Sequence, residues 1–241
     1  MQGPVVSLLP VRNGEQHLHE HLASVARFAD YVVALDDGST DSTRAILESH
    51  PLVRTVLTNP RRETYHGWDD AANRNRLLEA AMDTDPSWVM SLDADELIAE
   101  DDGAALRSFL EHDAEPEFAY LFRVFRMIND LSHYDAANLW VGRLFAPRPH
   151  HRFPPDRLHF VPIPTAVPAE QWRRTTIRIQ HRAALTRESR QARFAKYQQA
   201  DPHNDWQRTY AHLLDEPGHL RPWCNRNSAL PVLANLSLIH I

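Results

Sequence analysis

Over the first hundred residues, short apolar runs alternate with amphipathic stretches, and their order predicts strand and helix in turn. Val5 to Leu9 reads as a β-rich run closed by Pro10, and His17 to Phe28 carries Leu18, Leu22 and Val25 at helical spacing. Tyr31 to Leu35 is a second buried-strand pattern, closed by Asp36, Asp37, Gly38 and Ser39. Thr40 or Asp41 can cap a following helix through Leu47, because a short side-chain oxygen accepts from an otherwise unpaired N–H. Val53 to Leu57 reads as a third strand, Asp69 to Met82 as an alanine- and leucine-rich helix, and Trp88 to Leu92 as a fourth strand ending at Asp93. Strands separated by helices imply a parallel sheet built from βαβ units, hence an α/β fold.

From Phe118 the pattern changes. Phe118 to Ile128 alternates apolar and basic residues and reads as a strand, while Pro147 to Pro168 holds too many breakers for long regular elements. Thr175 to Gln180 predicts another strand, and Thr186 to Gln199 a helix opened by the capping-box-like Thr186-Arg187-Glu188-Ser189. Repeats and low-complexity tracts are absent from this pattern. The expectation is a single domain over 1–241, with a nucleotide-binding half (1–115) and an acceptor-facing half with C-terminal helices (116–241).

Composition narrows the function. The chain has 241 residues, 43% hydrophobic and 24% charged, with a net charge of −6. That balance disfavours a diffuse nucleic-acid footprint, which needs clustered positive charge. The basic residues are almost all arginine, with Lys196 the only lysine, a bias that base composition alone can produce. The single cysteine, Cys224, cannot form an internal disulfide, so a reducing, cytoplasmic setting is expected. Met1 to Pro10 lacks the basic leader and cleavage site of a signal peptide, and no run is long enough for a spanning helix. Ala229 to Ile241 is apolar with few charges: it packs on the body, meets a membrane peripherally, or meets a partner.

Two acidic clusters carry the chemistry. In open parallel sheets ligands bind beyond the carboxyl ends of the strands, and both Asp36-Asp37 and Asp93-Asp95-Glu96 fall at such ends. They should therefore converge on one crevice. Carboxylates at Asp36 and Asp37 can accept hydrogen bonds from ribose hydroxyls or a base N–H, or can simply close a surface turn that caps the next helix. Asp93-Ala94-Asp95-Glu96 packs three acids into four positions, which repel one another unless a cation is present. Hard oxygen ligands suit magnesium or manganese, which commonly also take substrate phosphate oxygens. The plain alternative is a solvated acidic turn, extended by Glu100, Asp101 and Asp102.

Taken together, the pieces resemble the family-2 glycosyltransferases of the GT-A fold. The matching segments are Pro10-Val11-Arg12-Asn13-Gly14-Glu15, Ala34 to Asp41, Asn73-Arg74-Asn75 and Leu92 to Glu96, in family order over roughly residues 4–100. The Asp-Ala-Asp-Glu version is similar to the branch that includes bacterial lipopolysaccharide-core transferases. The resemblance implies a Rossmann-like, mostly parallel sheet flanked by helices. It also implies an inverting, metal-dependent hexosyltransferase that moves sugar from a nucleotide-diphosphate donor, with a UDP-sugar the first expectation, to a glycan, lipid-linked or small-molecule acceptor. It further implies that Pro10, Asn13 and Glu15 line the nucleotide pocket, that Asp37 meets the base with Asp36 nearby, and that Arg74 and Asn75 lie near base and phosphates. Asp93 and Ala94 would hold ribose or donor sugar, and Asp95 would bind manganese or magnesium, with His181 as an additional ligand. Downstream, Val141 to Phe145 resembles the family's acceptor-side strand.

Inversion requires a base for the acceptor hydroxyl. Where many relatives carry His-Glu, this chain has His159-Phe160, so Asp156, Glu170 and His159 are the candidates, each equally readable as a loop residue. Trp140, Trp172 and Trp206 can stack on sugars or pack in the core. Two rivals remain: a phosphohydrolase of the haloacid dehalogenase type using Asp93 and Asp95, and a non-catalytic module of the same fold that binds nucleotide or glycan.

Overall fold

The computed structural model describes residues 3–233. Its centre is a nine-stranded mixed sheet. The first strands are β1 (Val5–Val11), β2 (Tyr31–Asp36), β3 (Val53–Thr58) and β4 (Trp88–Ser91). They pair in parallel, with β1 between β2 and β4. Helices α1 (Glu15–Val25), α2 (Thr43–Ser49) and α3 (Asp70–Met82) make the crossovers expected of βαβ units. The reading of the first hundred residues thus matches the element types. β1 nevertheless continues through Pro10 to Val11 instead of closing there.

Antiparallel strands then enter. β5 (Glu96–Ile98) follows the acidic segment, α4 (Glu100–His112) comes next, and β6 (Ala119–Met127) and β7 (His133–Phe145) form a long hairpin. β7 lies antiparallel to β4, with Met90 opposite Leu144. β8 (Trp172–His181) runs parallel to β6 and pairs antiparallel with β5, setting Glu96 opposite His181. α5 (Arg187–Ala200) opens with the expected capping box at Thr186 and Ser189. The short β9 (Arg221–Pro222) pairs with β7, and the order across the sheet is β3-β2-β1-β4-β7-β6-β8-β5.

Hydrophobic side chains fill both faces of this sheet. Leu9, Leu18, Leu22, Ala34, Met90 and Ile98 belong to one buried cluster, and Val6, Leu8, Val33, Leu77 and Phe145 to the other. The alternation along β1 explains the division, because successive residues face opposite sides of the sheet. Glu100, Asp101 and Asp102 are not a solvated turn. They occupy the first turn of α4, where the helix dipole favours negative charge. Asp102 is fully buried and accepts from Arg178 at 2.6 Å and Arg226 at 3.3 Å. Arg226 belongs to the C-terminal segment, which lies along β8: Val232 O accepts from Thr176 N, and Leu233 bridges to Thr175. The rest of the apolar tail, 234–241, lies outside the described residues. Among the described residues no helix is long and apolar enough to cross a membrane.

One buried imidazole ties α1 to the acidic segment. His21 is fully buried with its Nδ1 3.0 Å from Glu96 O, and burial lowers its pKa to about 4. In the unfolded chain His21 takes a proton below about pH 6.5. Between that value and about 4 the unfolded state therefore binds more protons than the folded one. Folding stability should fall as pH drops through this window, by at most about 1.4 kcal/mol per pH unit from this group. Urea unfolding of wild type and His21→Gln across the window should show a shallower pH slope in the variant; parallel slopes would refute the assignment.

Candidate active site

A cleft of about 390 Å³ opens beyond the carboxyl ends of β1, β2 and β4. Pro10, Asn13, Asp37, Arg74, Asp93, Ala94, Asp95, His159 and His181, all singled out in the sequence, line it. The two acid-bearing strand ends therefore meet in one cavity. Parallel pairing causes this, because β2 and β4 flank β1 and all three release their chains on the same side.

Asp37 is buried and accepts from Asn59 Nδ2 at 2.5 Å and from Arg62. Asn59 also donates to Asn73 Oδ1 at 2.9 Å, which joins the loop after β3 to α3. Gly38 makes the turn possible. Its φ is +74°, and a Cβ there would sit 2.3 Å from Pro60 O.

A second network surrounds Asp93. Arg74 donates to Asp70 at 2.9 Å, to Ser91 Oγ at 2.5 Å and to Asp93 Oδ1. Arg143, brought in by β7, donates to Asp93 Oδ2 at 3.0 Å and to Glu96 Oε1 at 2.5 Å. Burial works against ionised Asp93, but the Arg74 and Arg143 guanidiniums outweigh it and hold the carboxyl well below the usual range. Glu96 is pushed up by burial, which Arg143 offsets only in part. Its other oxygen accepts from Asp93 N at 3.2 Å, so Glu96 orients the acidic segment from beneath.

Asp95 faces the cleft beside His181, whose Nε2 stands 3.5 Å from Oδ2. Burial again opposes ionisation, and the His181 imidazole overcomes it, holding Asp95 well below the usual value. Arg182 binds the segment's main chain: its N donates to Asp95 O at 2.8 Å and its Nη2 to Ala94 O at 3.2 Å. Among the described residues no group of three or more His, Cys, Asp or Glu is arranged to hold a metal ion alone. The Asp95–His181 pair supplies one carboxylate and one imidazole on the open side.

Other expected residues lie outside the cleft lining. Asp36 is buried and accepts from Ser39 N at 3.0 Å, which stabilises the turn. Glu15 accepts from Ser42 N at 2.9 Å, holding the loop before α2. Asn75 accepts from Phe153 N at 2.8 Å and donates to Ala71 O. Asp156 and Glu170 are exposed and do not line the cavity. Neither do Trp140, Trp172 or Trp206. Trp172 donates to Val167 O at 3.1 Å and packs against the core.

The opposite wall had no counterpart in the sequence reading. Tyr65, Trp68, Arg193, Lys196 and Tyr197 line it. Lys196 Nζ lies 4.0 Å from the Trp68 ring centre, and the Arg12 guanidinium 4.2 Å from that of Tyr65. These residues come from the loop before α3 and from a half-buried face of α5, where no local motif marks them.

The sequence profile of glycosyl transferase family 2 matches residues 8–189, and the chain belongs to that family. Two mycobacterial proteins described as uncharacterized, Rv3786c of Mycobacterium tuberculosis and Mb3815c of Mycobacterium bovis, are 32% identical over 99 residues. That match covers 40% of this chain and 24% of each relative, so the chain spans about a quarter of the length of the curated relatives it matches. Among solved structures, the mannosyltransferase PcManGT from Pyrobaculum calidifontis, in complex with GDP-Man and Mn2+, is 20% identical with a TM-score of 0.52. The alignment covers 83% of this chain and 62% of that one, and shows a shared fold. TarS of S. aureus aligns over 88% of this chain and 41% of its own, at 15% identity and a TM-score of 0.46.

Because Arg143, itself buried, is paired with buried Glu96 as well as with Asp93, Arg143→Met should destabilise the fold by about 3 kcal/mol by leaving the Glu96 carboxyl without its counter-charge. Chemical denaturation measures this directly; a loss under about 0.5 kcal/mol, typical of a surface change, would show the network to be dispensable.

Proposed function

We propose that the protein is a glycosyltransferase that moves a hexosyl group from a nucleoside-diphosphate sugar to an acceptor hydroxyl, with inversion and with a divalent metal. One observation carries the reading: Asp37 and Asp95, from two parallel strand ends, face the same cleft in a chain of glycosyl transferase family 2. The GDP-Man and Mn2+ bound by PcManGT support a nucleotide sugar and a divalent cation here as well.

On this reading Asp37 accepts from the base, with Pro10 and Asn13 beside it, and Asp93 and Ala94 meet ribose or donor sugar. Arg74 lies near base and phosphates while it fixes Asp93. Asp95 and His181 hold the metal, Mn2+ or Mg2+. The donor set fits, since such cations are commonly bound by one or two protein groups together with substrate phosphate oxygens. The cation would neutralise charge on the departing diphosphate. Residues 1–115 supply the donor side and 116–241 the acceptor side. A UDP-sugar, a bacterial lipopolysaccharide-core-like role and a cytoplasmic site of action remain the expectations for the finer identity. The phosphohydrolase alternative has no observation of its own: both oxygens of Asp93 are taken by guanidiniums, which leaves it poorly placed as a nucleophile.

Thermal shift with UDP, GDP and their sugars, with and without Mn2+, tests the reading. A ligand at 100 times its Kd adds roughly 2.7 kcal/mol of stability. One nucleoside diphosphate should stabilise the protein in a Mn2+-dependent way, and Asp95→Ala should abolish that dependence. Binding that ignores both Mn2+ and the substitution would count against the metal role, and sugar transfer to any acceptor separates an enzyme from a binding module.

A further inference from the structure

The carboxylates of the cleft are all committed. Asp37 accepts from Asn59 and Arg62, Asp70 from Arg74, Asp93 from Arg74 and Arg143, and Asp95 stands against His181. The carboxylates outside it, Asp156 and Glu170, do not reach it. Two imidazoles besides His181 line the cavity. His17 sits in the field of Asp95, Arg182, Glu20 and His181, on the side assigned above to metal and diphosphate. His159 lies elsewhere, on the long connection between β7 and β8, and has a distinct set of partners.

His159 Nε2 is 2.8 Å from Tyr210 Oη, and Tyr210 Oη is 2.7 Å from Asp201 Oδ2. Tyr210 and Asp201 are both buried. Asp201 also accepts from Asp205 N at 2.8 Å and Trp206 N at 3.2 Å, and these bonds with Tyr210 overcome burial to hold its carboxyl below the usual value. An ionised carboxylate only accepts, so the single Tyr210 proton is donated to Asp201. The phenol oxygen must then accept from His159, which places the imidazole proton on Nε2 and leaves a lone pair on Nδ1.

The ring is also fixed in orientation. It stacks on Tyr197 with centres 5.2 Å apart and planes at 28°, and Tyr197 stacks on Tyr210 at 4.8 Å and 5°. The backbone at His159 has φ +60°, in the left-handed region that side chains seldom occupy without support. Support comes from Arg157, which donates to Trp68 O at 2.8 Å and Ala200 O at 2.7 Å, while its carbonyl accepts from Asp70 N at 3.0 Å.

We propose that His159 is the general base of the transfer reaction, accepting the acceptor's proton on Nδ1, with Tyr210 and Asp201 as positioning residues; the proposal rests on the transferase reading above. In the step, the acceptor O–H bond breaks and its proton passes to Nδ1. The acceptor oxygen bonds to the anomeric carbon as that carbon's bond to the diphosphate oxygen breaks, and the electron pair leaves with the diphosphate. The resulting imidazolium keeps its Nε2–H on Tyr210, within reach of the Asp201 charge. Desolvation lowers the pKa of the imidazole from its ordinary value; Asp201 and Asp70 favour the cation, while Arg193 on α5 and His212 oppose it.

The test uses the full chain with 15N-labelled histidine. The His159 imidazole, assigned by its loss in His159→Ala, should show the Nε2–H tautomer at pH 7, and Tyr210→Phe should remove that bias. Release of nucleoside diphosphate from UDP-glucose, UDP-N-acetylglucosamine and GDP-mannose with Mn2+, water serving as acceptor, supplies the kinetic readout. His159→Ala should lower kcat about 100-fold or more, keep the wild-type thermal shift with nucleoside diphosphate, and regain turnover with added imidazole. Tyr210→Phe should move the acid limb of the kcat/KM profile to lower pH, because the imidazolium loses an acceptor. An Nδ1–H tautomer, or unchanged turnover in His159→Ala, would overturn the assignment while leaving the transferase reading intact. Failure of wild type to bind any nucleotide would sink both.

Discussion

The cleft depends on balancing negative charge that the sheet itself concentrates. Parallel strands deliver their chains to one edge, and here that edge carries Asp93, Asp95 and Glu96 within a few residues of β4. Such a group repels itself and is costly to bury without counter-charge. Arg74 and Arg143 supply it from opposite sides, one on a crossover helix and one on an antiparallel strand. The antiparallel β7 beside β4 has a direct consequence for the acids: the register that sets Leu144 opposite Met90 also brings Arg143 to Asp93 and Glu96.

Pairing both oxygens of Asp93 with guanidiniums leaves Asp95 as the acid that meets an imidazole instead. Glu96 is sealed beneath, and its backbone carbonyl is held by His21. Asp95 lies against His181, which β8 delivers by pairing with β5. The three acids of one short segment thus have three fates, a carboxylate paired with two arginines, a half-buried carboxylate beside an imidazole and a buried brace. The difference comes from which neighbour each meets, since the side-chain chemistry is nearly the same.

That distinction shows where a linear reading runs out. The βαβ order, the placement of Asp37 and Asp95 on one crevice and the capping box of α5 follow from local patterns: apolar runs, turn residues and short spacings. Asp36 and Glu15 also sit in such patterns, yet their carboxylates satisfy backbone N–H groups of neighbouring turns and stay out of the cavity. Turn chemistry and ligand chemistry use the same residues, so spacing alone could not separate them. The acidic start of α4 is compatible with a solvated turn when read locally, because its partners, Arg178 and Arg226, lie far along the chain. The aromatic and basic wall from Tyr65 to Tyr197 has the same origin, as contacts spanning more than a hundred residues leave no local period.

His159 and Phe160 are neighbours in the chain that meet opposite surroundings. Phe160 faces the cleft but packs with Phe153 at a ring separation of 6.3 Å, against the apolar cluster under β1. A carboxylate there would lose solvation against those rings. The neighbouring His159 escapes this because the left-handed backbone turns it toward Tyr197 and Tyr210 instead. A base held by an Asp–Tyr pair needs no solvation of its own charge in the resting state, because neutral imidazole carries none. An apolar residue at 160 and a tethered imidazole at 159 are therefore two parts of one arrangement, in which packing fills one position and the proton acceptor at the other is polarised from within the fold.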